Sequence, residues 1–416
     1  MVNMKSIDDF DYSSKRVLLR VDINSPIDPD TKLIVNENRI QKSLPTIRKL
    51  LDKGAMLAII AHQGDTLDYQ NLIPLEEHAK KLSAYLGVEV SYIDDVSGPA
   101  AQERVKALRP GEAILLGNLR YLSEEISTFE NAVKLKPAEM LDTYLVRGLA
   151  PIIDYYVNDA FAAAHRNAPS MVAFQEIKPT AVGDLLFDEV SALSKVMDAP
   201  EHPSVFVLGG AKISDAFGMM KQVLESGTAD KILTCGVTGE IMLLAKGYRL
   251  GETKERFINN RGLDIFVADA ESYLRDFGDR MEYPVDLAFA TDGERHEVSI
   301  EELPVDRMFM DIGRKTIGNY EREIDEAKTL FVNGPAGVYE EKAFEDGTKA
   351  IWNAIAGAEG YSVIGGGDTV TAAAKFVDLD DINYVCTGGG AMVRYLSGKK
   401  LPLIEAIERA YQRDST

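Results

Sequence analysis

The sequence predicts an α/β protein built as two doubly wound parallel sheets, one in each half of the chain. Three observations carry this expectation. Apolar runs are short, four to seven residues each. Longer stretches with helical periodicity separate them. The residues that close the runs differ between the halves: Asp, Asn, Arg and His in the first, glycine clusters and Asp in the second. Continuous apolar strands joined by helical crossovers belong to parallel sheets covered on both faces. At 416 residues the chain is also too long for one ordinary domain.

In chain order, the first half offers RVLLRVDIN, AMLAIIAH, VEVSYID, AILLGNLR and DYYVNDAF as strands with their exits. The intervening NRIQKSLPTIRKLLDKG and LEEHAKKLSAYLG read as helices and end at glycine, where helices commonly stop. PTAVGDLLFDEVSALSKVM, residues 179–197, has helical periodicity and is expected to join the halves. The second half offers SVFVLGG, KILTCG, DLAFA, TLFVNGP, YSVIGGG and NYVCTGGG. Residues 253–310 are less regular: a helix, then YPVDLAFA and HEVSIEEL as a hairpin.

The bulk numbers exclude several classes. With 46 basic and 66 acidic residues the formal charge is −20, which repels polyanions. Nucleic acids and membrane surfaces are therefore poor partners. No apolar stretch reaches 18 residues and the N-terminus has no signal-like segment, so a cytoplasmic protein is expected. Cys235 and Cys386 form neither a disulfide framework nor a zinc spacing and are expected to be buried, inert thiols.

Ligands of open α/β sheets sit beyond the carboxyl ends of the strands, so each half should carry its own site. In the first half Arg20, Asn24, His62, Arg120, His165 and Arg166 close strands, and Arg39 lies early in a helix. Taken singly, each reads most simply as a surface charge. Together at one sheet edge they would form a basic pocket in an acidic protein, suited to a small phosphate- or carboxylate-bearing anion.

In the second half four glycine-rich exits follow strands: Gly209-Gly210-Ala211-Lys212, Gly334-Pro335-Ala336-Gly337, Gly365-Gly366-Gly367-Asp368-Thr369 and Thr387-Gly388-Gly389-Gly390-Ala391. One alone would serve a turn. Four in one domain suggest a nucleotide across the strand ends, with phosphates on helix N-termini. Asp368 is the natural Mg2+ carboxylate, completed by substrate phosphates. There is no G-x-x-x-x-G-K-[ST], and no G-x-G-x-x-G follows the first strand of either half.

The motifs LLRVDINSP, YVNDAFAAAHR, LGGAK, DIGRKT, NGPAGVYE, GGGDT and TGGGA, in this order, resemble the phosphoglycerate kinase family, particularly its archaeal type. The resemblance runs nearly end to end. It implies two Rossmann-like lobes joined by a hinge, with the C-terminal helix returning to the first lobe. The expected divisions are 1–180 for the acidic substrate, 181–198 for the hinge, 199–398 for the nucleotide and 399–416 for the returning segment. It further implies Mg-dependent phosphoryl transfer between 1,3-bisphosphoglycerate and ADP, giving 3-phosphoglycerate and ATP, in a monomer or a dimer.

Carried over by motif, Asp22, Asn24, Arg39, His62, Arg120 and Arg166 resemble the phosphoglycerate-binding set. Gly210, Lys212, Asn333, Pro335, Glu340, Gly366, Gly367, Asp368 and Thr369 resemble the nucleotide set, with Asp368 linked to magnesium. Arg39, Lys212 and the backbone at Gly366 and Gly389 would share catalysis.

The sequence departs from the family pattern at AHQGDT, where Asp65 stands in place of a substrate arginine, and at GNLRY. Ala216 stands where many members carry a second lysine, one helical turn past Lys212 and expected on the same face. These departures keep open a relative acting on another carboxylate, or a non-catalytic nucleotide-binding homologue.

Overall fold

The computed structural model describes residues 2–65 and 69–415. Contacts divide the chain into two compact units, residues 2–191 with 400–416, and residues 192–399. The first division falls inside the helix Asp184–Met197.

The first unit holds β1 (Arg16–Val21), β2 (Met56–Ile60), β3 (Val90–Tyr92), β4 (Ala113–Leu115), β5 (Tyr155–Asp159) and β6 (Thr180–Val182). They form one sheet in the order β3-β4-β2-β1-β5-β6, every pair parallel. β2 is wholly apolar and β1 apolar but for Arg16 and Arg20, and both are almost wholly buried, as a sheet covered on both faces requires. Val17, Leu19, Val21, Leu57 and Ile59 form the core against Ile40, Ile47 and Leu50 of the helix Asn38–Asp52. One reading needs correction. Thr180–Val182 is a sixth strand, and the helix begins only at Asp184. Gly183 separates the two, so the helical periodicity of residues 179–197 holds only from Asp184.

The C-terminal helix Pro402–Ser415 belongs to this unit. Thr180 N donates to Asp414 at 3.4 Å, and Arg409 pairs with Glu176 at 2.9 Å.

The second unit holds β7 (Ser204–Leu208), β8 (Lys231–Thr234), β9 (Met281–Glu282), β10 (Asp286–Thr291), β11 (Glu294–Ser299), β12 (Phe309–Ile312), β13 (Thr329–Asn333), β14 (Tyr361–Gly365) and β15 (Tyr384–Cys386). Six of these form a parallel sheet in the order β15-β14-β13-β7-β8-β9. The other three form a separate antiparallel sheet, β11-β10-β12. DLAFA therefore belongs to β10 of this second sheet, not to the parallel one. The hairpin turn at Asp292-Gly293 has both residues at positive φ, which matches the strand twist.

In each parallel sheet the chain reverses its direction of travel across the sheet once, at β1/β5 and at β7/β13. Such switch points open a crevice at the carboxyl edge.

Candidate active site

A cavity of about 880 Å3 is lined by Gly209, Gly210, Lys212, Asn333, Pro335, Glu340, Gly366, Gly367, Asp368, Thr369 and Gly389. All nine residues expected at the nucleotide therefore line one cavity. It is built by backbone stitching across the switch point. Gly209 N donates to the Asn333 carbonyl at 2.9 Å, and Gly210 N to the Pro335 carbonyl at 2.8 Å. Asn333 Nδ2 donates to the Gly365 carbonyl at 2.6 Å. Gly334 N donates to the buried Thr369 hydroxyl at 2.8 Å. Thr369 thus locks the β13 loop to the β14 loop.

Two glycines are required by geometry. Gly366 has φ +100°, and a Cβ there would lie 2.8 Å from Asn333 Nδ2. Gly209 has no room for a side chain, because a Cβ would lie 2.5 Å from the Pro335 oxygen and 2.6 Å from Cys235 Sγ. Glycine here lets the strand exits lie against one another. Helices start directly behind three of the loops, at Ile213, Gly367 and Gly389, so unpaired N–H groups converge on the cavity.

Lys212 and Asp368 stand on two of these loops. Their side chains are each 69% exposed and 3.3 Å apart. No group of three or more His, Cys, Asp or Glu side chains could cage a metal among the described residues. A lone exposed carboxylate in the first turn of a helix suits a hard cation whose other ligands are phosphate and water, and does not suit a protein-caged metal.

Ala216 needs correction. It is fully buried, while Lys212 is exposed. Lys212 has ψ 65°, outside the helical region, and the helix starts at Ile213. The four-residue spacing therefore does not put the two side chains on one face.

The first unit gathers its basic residues at the carboxyl edge of β1, β2 and β4. His62 lies at their centre and is buried. Burial holds its imidazole neutral, and Arg120, Arg20, Arg166 and Arg39 reinforce this, so its pKa falls well below the ordinary histidine range. Arg20 Nη2 lies 2.9 Å from His62 Nδ1. Arginine can only donate, so Nδ1 accepts and the ring proton sits on Nε2. His62 is a neutral donor, not a cation.

Arg20, expected at the strand end, lies within β1 and is 1% exposed. It bonds the Val21 carbonyl, His62 and the Ser170 hydroxyl. It positions His62 and does not line an open site. Arg39 is 41% exposed and holds the buried Asp22 at 2.8 Å. Asn24 Oδ1 accepts from Gly64 N at 3.1 Å.

Arg120 and Arg166 meet carboxylates. Arg166 Nη1 lies 3.3 Å from Asp65 Oδ2 and its Nε 2.6 Å from Glu130 Oε2, while Arg120 Nε lies 3.9 Å from Asp65 Oδ2. Burial pushes the Arg120 pKa down to about 10, with Arg166 contributing. Glu130 escaped sequence reasoning because a carboxylate within Ser127–Val133 carries no motif.

The family model described as phosphoglycerate kinase matches residues 7–399. The chain is 42% identical over 406 residues to the phosphoglycerate kinase of Methanothermobacter thermautotrophicus, covering 98% of this chain and 97% of that one. It is 42% identical over 420 residues to that of Thermococcus kodakarensis, covering 99% and 98%. Among solved structures, phosphoglycerate kinase from Pyrococcus horikoshii matches with a TM-score of 0.85 and 37% identity, over 99% of this chain and 100% of that one. The Coxiella burnetii phosphoglycerate kinase matches at 0.84 and 30%, over 98% and 99%.

Proposed function

The chain belongs to the phosphoglycerate kinase family and moves a phosphoryl group between 1,3-bisphosphoglycerate and ADP, and from that premise we propose which residues do so and that Mg2+ is required. The second unit's cavity holds the nucleotide, with Gly210, Lys212, Asn333, Pro335, Glu340, Gly366, Gly367, Asp368 and Thr369 around it. The first unit holds 3-phosphoglycerate on Asp22, Asn24, Arg39, His62, Arg120 and Arg166. The observation that carries this reading is the convergence of Lys212, Asp368 and three helix starts on one cavity at a sheet switch point.

In the direction of ATP use, a carboxylate oxygen of 3-phosphoglycerate attacks the γ-phosphorus. The new O–P bond forms as the bond to the β,γ-bridging oxygen breaks, and that electron pair leaves on ADP. The carboxylate is ionised at neutral pH, so no general base is needed. The protein supplies position and charge compensation. Lys212 and the N–H groups at Gly366 and Gly389 face the transferring group, Arg39 steadies the acceptor, and neutral His62 donates to it without adding charge. Mg2+ held by Asp368 would neutralise phosphate oxygens of the nucleotide.

No helix among the described residues is long and apolar enough to cross a membrane. We read the protein as a cytoplasmic enzyme that works as a monomer on small molecules. ADP release measured with 3-phosphoglycerate and ATP, with Mg2+ and then with EDTA, tests the assignment. Turnover only with Mg2+ is expected, and full turnover in EDTA would remove the metal from it.

A further inference from the structure

In the first unit an acidic side chain sits where an incoming anion should be held. Asp65 Oδ2 lies 3.3 Å from Arg166 Nη1 and 3.9 Å from Arg120 Nε. The Ser127 hydroxyl donates to the same oxygen at 2.8 Å. The placement is set by the fold: Gly64 has φ +71°, and a Cβ there would lie 2.6 Å from the Asn71 backbone. Among the described residues Arg120 Nε and Arg166 Nη2 are buried with no hydrogen-bond partner. Asp65, with Glu130 on the far side of Arg166, thus balances the charge of the two guanidinium groups, which yet keep donors in hand. Buried donors of this kind favour an acceptor that can reach them.

We propose that Asp65 is a displaceable internal counter-ion that sets the affinity and selectivity of this pocket. Its carboxylate holds Arg166 and faces Arg120 in the free protein, and yields both to the phosphoester when substrate binds. This rests on the reading of the first unit as the phosphoglycerate site. An arriving singly charged anion only exchanges one carboxylate-like contact for another and gains little. A phosphoester that also carries a carboxylate brings more charge and more acceptors than it displaces. Asp65 therefore lowers affinity for every anion, and it excludes weakly charged ones most.

The test is direct binding of 3-phosphoglycerate, by calorimetry without nucleotide, to the wild-type protein, D65N, S127A and R166A, and to the D65N/R166A pair. D65N should bind about tenfold more tightly, the lower end of a charge-assisted hydrogen bond. S127A should move the same way by a smaller factor. Inorganic phosphate should compete against D65N at concentrations that leave the wild type unaffected. D65N should bring a smaller gain in the R166A background than in wild type, because only Arg120 is then left to release, and an equal gain would overturn the proposal. The ATP dissociation constant should change less than twofold throughout, and a loosened fold cannot produce tighter binding. Weaker or unchanged binding by D65N would overturn the proposal, the first by making Asp65 a direct substrate contact. If neither wild type nor any variant binds 3-phosphoglycerate while ATP still binds, the site reading fails and the proposal with it.

Discussion

Lys212 Nζ stands 3.3 Å from Asp368 Oδ2, although the two residues follow different strands, β7 and β14. Both are more than two-thirds exposed, so the pair is screened by water and contributes at most about 1 kcal/mol to stability. Its interest is positional. A cation and a carboxylate on separate loops face each other across the cavity, and a Mg-nucleotide would separate them, taking the cation on phosphate and the carboxylate on metal.

Replacing Lys212 with alanine should lower kcat by at least about a hundredfold with a modest change in nucleotide Kd. A cation supplied to a phosphoryl transition state can be worth about 10³–10⁵ in rate. Steady-state kinetics beside equilibrium nucleotide binding separate the two effects. Wild-type turnover in the variant would remove this loop from the chemistry.

Asp368→Ala should abolish Mg-dependent turnover and leave the melting temperature within a few degrees of wild type. The residue sits in the first turn of the helix Gly367–Phe376 and is exposed, so a helix-end role alone is worth about 1 kcal/mol. Turnover is compared across a Mg2+ titration. Near-normal turnover at saturating Mg2+ with a small loss of stability would leave only the helix-end role.

The parts of the site legible in sequence were those that lie directly on strand exits. His62, Arg120 and the four glycine loops follow apolar runs, and period-two or continuous apolar patterns mark strands well. What was hidden depends on tertiary neighbours or on local backbone angles. Glu130 reaches Arg166 from 36 residues away with no motif to announce it. Arg20 looks like a strand-end cation, but it is turned inward to hold His62. β6 is three residues long, too short for a pattern of its own beside the strong periodicity of the helix that follows. Residues 286–312 pair antiparallel, which apolar content alone cannot distinguish from a parallel strand.

Ala216 gives a prediction opposite in sign to the one its sequence spacing invites. Counting four residues from Lys212 assumes that Lys212 is already helical, and its ψ of 65° shows that it is not. The Ala216 side chain is completely buried. Ala216→Lys should therefore not add a cation to the cavity. It should place an unpaired ammonium in a close-packed interior, at a cost of at least about 3 kcal/mol. In a domain of this size that lowers the melting temperature by roughly 6–12 °C. Calorimetric melting is the check, and a higher kcat at an unchanged melting temperature would show that the lysine reaches the cavity after all.

Asp159 at the end of β5 makes the stability of the first unit depend on pH. Its carboxyl is buried, and burial pushes its pKa up to about 7, against hydrogen bonds from Thr46 and the backbone of Leu185 and Leu186. In the unfolded chain it titrates near the ordinary aspartate value of about 3.9. Between these two values the folded state holds a proton that the unfolded state has released. Stability contributed by the protonated form is therefore complete below about pH 4 and is lost as pH rises through about 7. The loss integrates to roughly 4 kcal/mol by pH 8, at 1.36 kcal/mol per unit. Asp159→Asn keeps an oxygen for the Leu186 N–H, which donates to Oδ1 at 2.9 Å, and removes the titration. Other titrating groups, His62 among them, are common to both proteins and cancel in the comparison. The variant's advantage in urea midpoint over wild type should therefore be smallest near pH 4, grow up to about pH 7 and level off by pH 8. An offset of the same size at every pH would mean that Asp159 does not change its protonation on unfolding, and that its place at the start of the helix Asp184–Met197 is purely structural.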